Sequence, residues 1–227
     1  MAVIYLIRHG QASWGNRDYD HLSELGIQQS KVLGATLRQR MEQPDMVISG
    51  TMRRHRQTAE HTLRAMGLEP QWVEDSRWNE YDHEQLLRRV QPADNQQTDF
   101  WTELMISQDS RVKFQQLFDR ALQRWICGDH DQDYHETWQA FQSRIAIALQ
   151  QTIENAGVTL VFTSGGAISA AVRQLWNLPD ESWLHVNRVI ANATLTKLVK
   201  GKQGLHLSTF NEHHHFEGPS RPLLTYR

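Results

Sequence analysis

Three short stretches of this sequence combine residue types suited to handling an anion. The first is Arg8-His9-Gly10, directly after the apolar run Val3–Ile7. An arginine offers a planar fork for phosphate oxygens. A histidine offers a neutral imidazole nitrogen near pH 7, able to attack phosphorus or act as a base. A glycine lets backbone come close. The second stretch is Ser49-Gly50-Thr51-Met52-Arg53-Arg54-His55-Arg56-Gln57-Thr58-Ala59-Glu60, which follows a short apolar segment and opens a helical pattern. A helix N-terminus favours anions. Three arginines in the first turn oppose the macrodipole and cost stability unless an anion is present. The third stretch, Thr163-Ser164-Gly165-Gly166, again presents backbone N–H groups at a helix start. A phosphate pocket is their natural common reading.

Such a pocket needs elements that bring the three stretches together. Val3–Ile7 and Val158–Phe162 are β-branched and aromatic runs that read as buried strands, and Asp45–Ser49 reads as another. Gln71–Val73 is a candidate small strand. Ser23 predicts a helix N-cap, followed by a stripe at Leu25, Val32, Leu33 and Leu37. A helix is expected over 51–66, stopped by Gly67, and another from Ala167 to Trp176. Strands over Ala193–Val199 and Leu205–Phe210 form a hairpin punctuated by Gly201 and Gly204. Between about 76 and 157 the texture is helical. Phe114, Leu117, Phe118, Ala121, Leu122 and Trp125 recur at helical spacing, as do Trp138, Phe141, Ile145, Ala148 and Leu149. Its Trp and Phe residues read as core, and Gln91–Asn95 reads as a break. The order favours a single α/β domain over residues 1–227. It is expected to be a three-layer αβα sandwich with a mostly parallel central sheet and a helical insertion at about 76–157. Ligands in such sheets collect at the carboxyl ends of strands, where all three stretches lie.

Composition narrows the class. The 227 residues carry 24 Lys+Arg and 26 Asp+Glu, a formal charge of −2. That balance argues against nucleic acid as a partner. The lone Cys127 excludes an internal disulfide and a cysteine-based zinc cluster. No stretch approaches the roughly 20 apolar residues of a membrane span, and the apolar start lacks a basic leader region. A cytoplasmic protein without a membrane partner is the expectation. The eight tryptophans leave a homodimer open, an exposed one being its sign.

Taken together, Ile7-Arg8-His9-Gly10-Gln11-Ala12, Leu22-Ser23-Glu24-Leu25-Gly26-Ile27-Gln28-Gln29 and Met52–Glu60 resemble the signature stretches of the histidine phosphatase superfamily, the phosphoglycerate mutase-like proteins. Trp78-Asn79-Glu80, Asn192–Thr196 and Phe210–His215 are similar to its later motifs. The resemblance implies a phosphatase that hydrolyses a small phosphate monoester through a phosphohistidine, without cofactor or metal. It implies His9 as nucleophile and Glu80 as general acid, with Asp82 and Glu84 as rivals. Arg8, Arg54, Ser164, Gly165 and Gln11 would bind the phosphate, with Arg53 as fallback for Arg54. Two positions and one loop depart from the pattern. Ser164 stands where the family has a second histidine, and His185, His55 and His213 are candidates to compensate. Gly50 occupies a usual serine position. The loop Ser13–Asp20 does not match the basic loop of phosphoglycerate mutases, which disfavours mutase activity.

Other readings use the same residues. Ser164 with Asp180 and His185 has a permissible serine-hydrolase order but lacks the first glycine of a nucleophile elbow. His213 and His215 could share one metal ion across a strand face, though no carboxylate completes the site. A phosphate-binding protein without turnover would keep Arg8, His9 and Arg54 and would have lost catalysis with Ser164.

Overall fold

The computed structural model describes residues 1–13, 20–90 and 110–226. The loop around Trp14–Tyr19 and the break at Gln91–Asn95 lie outside them. Six strands form one sheet: β1 (Ala2–Arg8), β2 (Met46–Ser49), β3 (Val73–Glu74), β4 (Gly157–Thr163), β5 (Leu195–Gly201) and β6 (Gly204–Glu212), in the spatial order β3-β2-β4-β1-β5-β6. The first four in that order run parallel, β5 runs antiparallel to β1, and β6 runs antiparallel to β5. This is the mixed, mostly parallel α/β arrangement that the strand and helix order predicts.

Register decides what meets at the strand tips. Arg8 pairs with Thr163 across β1 and β4, and Ser49 pairs with Phe162 across β2 and β4. The residues that follow, His9, Ser164 and Gly50, therefore emerge at one end of the sheet. The register is held by burial. Side chains alternate between faces, and Tyr5, Ile7, Leu160 and Phe162 pack with Leu33 and Leu37 of α1 (Glu24–Arg38) and with Ala59, Leu63 and Met66 of α2 (Arg53–Met66). The intervening Ile4, Leu6 and Val161 are equally buried, so both faces of the sheet are covered. A one-residue slip would exchange those faces.

Ser23 caps α1 as predicted, its hydroxyl accepting from the Gly26 N–H at 3.1 Å. The start of α1 lies against the backbone after β1. A Cβ on Gly10 would come within 2.5 Å of the Gly26 carbonyl oxygen. Only a glycine lets the chain after His9 run this close to α1.

Residues Tyr81–Ser143 form a second compact unit, and Met1–Glu80 with Arg144–Arg227 form the first. The second unit holds α3 (His83–Arg88), α4 (Ser110–Ile126) and the start of α5 (Trp138–Thr152). Its core is aromatic: Tyr81 and Trp125 ring centroids are 5.2 Å apart, as are those of Trp125 and Trp138, and Phe141 joins them. The helically spaced Leu117, Phe118, Ala121 and Leu122 are buried too.

Three local expectations need correction. The small strand is Val73–Glu74, shifted from Gln71–Val73. The strand expected from Ala193 starts at Leu195, because Ala193 adopts φ 52° while its N–H bonds the His9 carbonyl at 3.2 Å. A further helix, α7 (Ser182–Val189), follows α6 (Gly165–Leu175) and has no counterpart in the sequence expectations. No helix among the described residues is long and apolar enough to cross a membrane.

Candidate active site

His9 is fixed by its backbone and by one ring nitrogen. Its N–H donates to the Thr163 carbonyl at 2.9 Å, and its own carbonyl accepts from Ala193 N and from Asn192 Nδ2. The ring sits with Nδ1 2.7 Å from the Gly10 carbonyl oxygen. A carbonyl can only accept, so Nδ1 carries the proton and Nε2 keeps the lone pair. Burial holds the His9 pKa well below the usual imidazole value, and the charges of Arg54, then Arg8, lower it further. The low pKa favours the neutral ring at pH 7, and its Nε2 lone pair could serve chemically as nucleophile or base.

The two arginines are set from opposite sides of the fold. Arg8, buried at the end of β1, donates from Nη1 to the Ile190 carbonyl and to the Tyr226 carbonyl at 3.1 Å. Its guanidinium lies beside Gly165, whose added Cβ would be 3.5 Å from Arg8 Nε. Arg54, buried in the first turn of α2, donates from Nη1 to Asp20 Oδ1 at 2.6 Å. Asp20 Oδ2 also accepts from the Arg53 N–H at 2.8 Å, standing in for the side-chain cap that α2 lacks. The Arg53 side chain is exposed and Arg56 pairs with Glu74 at 2.7 Å. Of the three basic residues in this turn, Arg54 is the one beside His9. Thr58, one turn on, ties α2 to the site: its hydroxyl accepts from Gly10 N at 3.0 Å and donates to the Arg54 carbonyl.

Glu80 reaches the same region. Its Oε2 accepts from the Gly166 N–H at 3.1 Å, while Oε1 has no hydrogen-bond partner. Burial raises its pKa, against the lowering effect of that N–H and of Arg54 and Arg8. The rivals are employed elsewhere. Asp82 caps α3 through Gln85 N, and Glu84 pairs with Arg88 at the surface.

Ser164 is buried at the start of α6 and makes no cap there; its Oγ lies 2.6 Å from His55 Nε2. The His55 ring centroid is 5.7 Å from that of His9. Among the three histidines considered as compensators, His55 is thus the one placed at Ser164. His185 is exposed on α7 and Asp180 pairs with Arg173, which separates the residues of the serine-hydrolase reading. His213 Nδ1–H donates to the Asn211 carbonyl and His215 Nε2–H to the Ala193 carbonyl, and no group of three metal-ligating side chains forms among the described residues.

Gln11 is tied to α1: its Oε1 accepts from Ser23 Oγ and its backbone N–H donates to Gln29 Oε1 at 2.8 Å. Gln29 in turn donates to the Leu223 carbonyl and to Thr225 Oγ1. Asp20, Gln29 and Asn187, whose Oδ1 would lie 2.8 Å from a Cβ on Gly165, are site neighbours that sequence reading does not single out. Gln29 alone had a signal there, the glutamine ending the Leu22–Gln29 stretch.

The site therefore presents a neutral imidazole, two buried guanidinium groups, a protonatable carboxyl and a hydroxyl at adjoining strand ends. These groups can bind a phosphoryl dianion and exchange protons with it. Solved structures share the fold. YhfR of Bacillus stearothermophilus aligns over 96% of this chain and 100% of its own, with TM-score 0.66 and 18% identity. A phosphoserine phosphatase of Entamoeba histolytica aligns over 95% and 99%, with TM-score 0.63 and 16% identity. Among curated proteins, a 2,3-bisphosphoglycerate-dependent phosphoglycerate mutase of Chelativorans sp. (strain BNC1) is 33% identical over 89 residues. That match spans 36% of this chain and 43% of the mutase, so the chain covers less than half of that relative. The model of the histidine phosphatase superfamily (branch 1) matches residues 4–213, nearly the whole length, and the chain belongs to that superfamily.

Proposed function

We propose that the protein is a phosphatase that hydrolyses a small phosphate monoester through a phosphohistidine at His9. The observation that carries this reading is the His9 ring: Nδ1–H is committed to the Gly10 carbonyl, leaving Nε2 bare beside the charges of Arg54 and Arg8. The phosphoryl transition state spreads charge over three oxygens. Fixed arginines and backbone N–H groups stabilise that charge without reorganising. Nε2 attacks phosphorus as the bond to the leaving oxygen breaks. Glu80, whose pKa burial raises, donates a proton from its carboxyl to that oxygen. As a carboxylate it then takes a proton from water, which attacks the phosphohistidine, releases phosphate and restores His9. Protein cations supply the neutralisation, so hydrolysis is expected to continue in EDTA. Membership of a superfamily whose structural neighbours include proteins described as phosphatases supports the reading.

The test is hydrolysis of 4-nitrophenyl phosphate and of a phosphorylated-metabolite panel by wild type and His9→Ala. The variant should lose turnover and the wild type should trap label on His9 from a ³²P-substrate. Ser164, a neutral donor in place of a histidine, favours a second reading: phosphate binding without turnover. That reading wins if wild type and variant are equally inert while wild type binds phosphate.

A further inference from the structure

His55 is buried and takes no part in the steps above. Three observations join it to two other unusual positions. Its Nε2 lies 2.6 Å from Ser164 Oγ. Its Nδ1 has no hydrogen-bond partner and faces Gly50, where an added Cβ would collide with that nitrogen and come 2.8 Å from Asn79 Oδ1. Its ring neighbours that of His9. Gly50, His55 and Ser164 come from the end of β2, the first turn of α2 and the end of β4. Two of them, Gly50 and Ser164, are the positions where the signature leads one to expect serine and histidine.

The proton of His55 can be placed by elimination. Burial, with Arg54 and Arg56 nearby, keeps the imidazole neutral, so it has one N–H. A proton on Nδ1 would be a stranded buried donor, whereas on Nε2 it is donated to Ser164 and leaves only a bare lone pair at Nδ1. Orphaned donors are the rarer case in folded proteins. A hydroxyl that accepts from His55 keeps its own hydrogen to give. Ser164 spends nothing on capping α6.

We propose that Gly50, His55 and Ser164 act as one unit: His55 is a positioning residue whose Nε2–H turns the Ser164 hydroxyl toward the phosphoryl oxygens, and Gly50 makes the room for its ring. An imidazole has in effect moved from the β4–α6 turn to the first turn of α2. The inference rests on the phosphoryl-site reading above.

The test measures orthovanadate affinity and 4-nitrophenyl phosphate kinetics on the same variants, with thermal melts to confirm folding. Ser164→Ala and His55→Ala should each weaken orthovanadate binding and lower kcat by about 10²-fold, with a smaller change in KM. The double variant should be no worse than either single. His55→Gln, whose amide reaches the level of Nε2, should retain most of both; His55→Asn, which reaches only Nδ1, should behave as His55→Ala. Gly50→Ser should copy His55→Ala and add nothing in the His55→Ala background. Independent losses, about 10⁴-fold in the double variant, or wild-type affinity in a folded His55→Ala, would overturn the unit. So would full retention in His55→Asn if His55→Ala does not fold. Turnover insensitive to His9→Ala removes the phosphatase reading alone, because the orthovanadate ratios still report the unit. Failure of wild type to bind orthovanadate removes both.

Discussion

Arg53 and Arg54 are sequence neighbours with opposite fates, and helix geometry is the reason. Successive residues on α2 point about 100° apart, so one guanidinium is buried beside His9 while the other stands in solvent. Arg54→Ala is expected to lower kcat/KM for a phosphate ester by 10²-fold or more. Arg53→Ala should stay within about threefold, with stability changed by no more than about 0.5 kcal/mol. Steady-state kinetics of the pair checks this, and the reverse order would refute the assignment. His9, Arg8, Arg54 and Glu80 are legible in the sequence because each sits at a fixed offset from a strand end or within a short motif. Asp20, Asn187 and the His55–Ser164 pairing are not. Each depends on a contact between distant segments, which no local spacing encodes. The same distinction governs pH. Desolvation is the largest cause of the low His9 pKa, with the arginines second and third. The acid limb of kcat/KM should therefore lie well below the range of free imidazole. Arg8→Met should move it only part of the way back, measured on an ester whose own ionisation is constant over the range.

The site is built where elements approach too closely for side chains. Gly10 against Gly26 lets α1 reach the backbone after β1, and Thr58 of α2 closes the same turn from the other side. Gly10→Ala must push α1 away, and overpacking of this kind costs about 1–3 kcal/mol. Urea denaturation should show that loss, with a fall in kcat larger than the rise in KM because His9 is displaced along with its neighbour. The long elements are readable from pattern: the buried runs of β1 and β4, the capped α1 and the amphipathic α4 and α5 all carry strong local signals. Helix α7 does not. It spans eight residues, and its N-cap Glu181 makes no side-chain cap bond. What fixes it is tertiary. Trp183 is fully buried, and its indole N–H donates to the Gly166 carbonyl at 3.0 Å. That bond pins the turn after Ser164, so this helix, silent in the sequence, supports the Thr163–Gly166 stretch.

For the molecule as a whole, the buried histidines link fold to proton concentration. His9 and His55 have pKa values held below the usual imidazole value, and His215 is lowered to about 4 by burial. In each case the unfolded chain binds more protons than the folded one below pH about 6.5. Stability is therefore complete above that pH and declines as pH falls toward the folded values. Glu80, whose folded pKa is raised, acts in the opposite sense between its unfolded and folded values. The three histidines outnumber it, and the melting temperature should drop between pH 7 and pH 5. His215→Gln should flatten that slope without shifting the acid limb of kcat/KM. Calorimetry across this range, beside the pH–rate profile, separates the two. The two compact units share α5, whose start belongs to the Tyr81–Ser143 unit and whose remainder belongs to the sheet-bearing one. The sequence shows that helical stretch clearly but not its narrower limits, because the helical periodicity runs through the boundary at Arg144 without a break.

The strap formed by residues 223–226 is easily passed over. Leu223 and Thr225 hold Gln29, Thr225 also holds Asn192, and the Tyr226 carbonyl accepts from the Arg8 guanidinium. Thr225→Val should therefore weaken orthovanadate affinity more than it lowers the melting temperature, as paired titrations and melts would show.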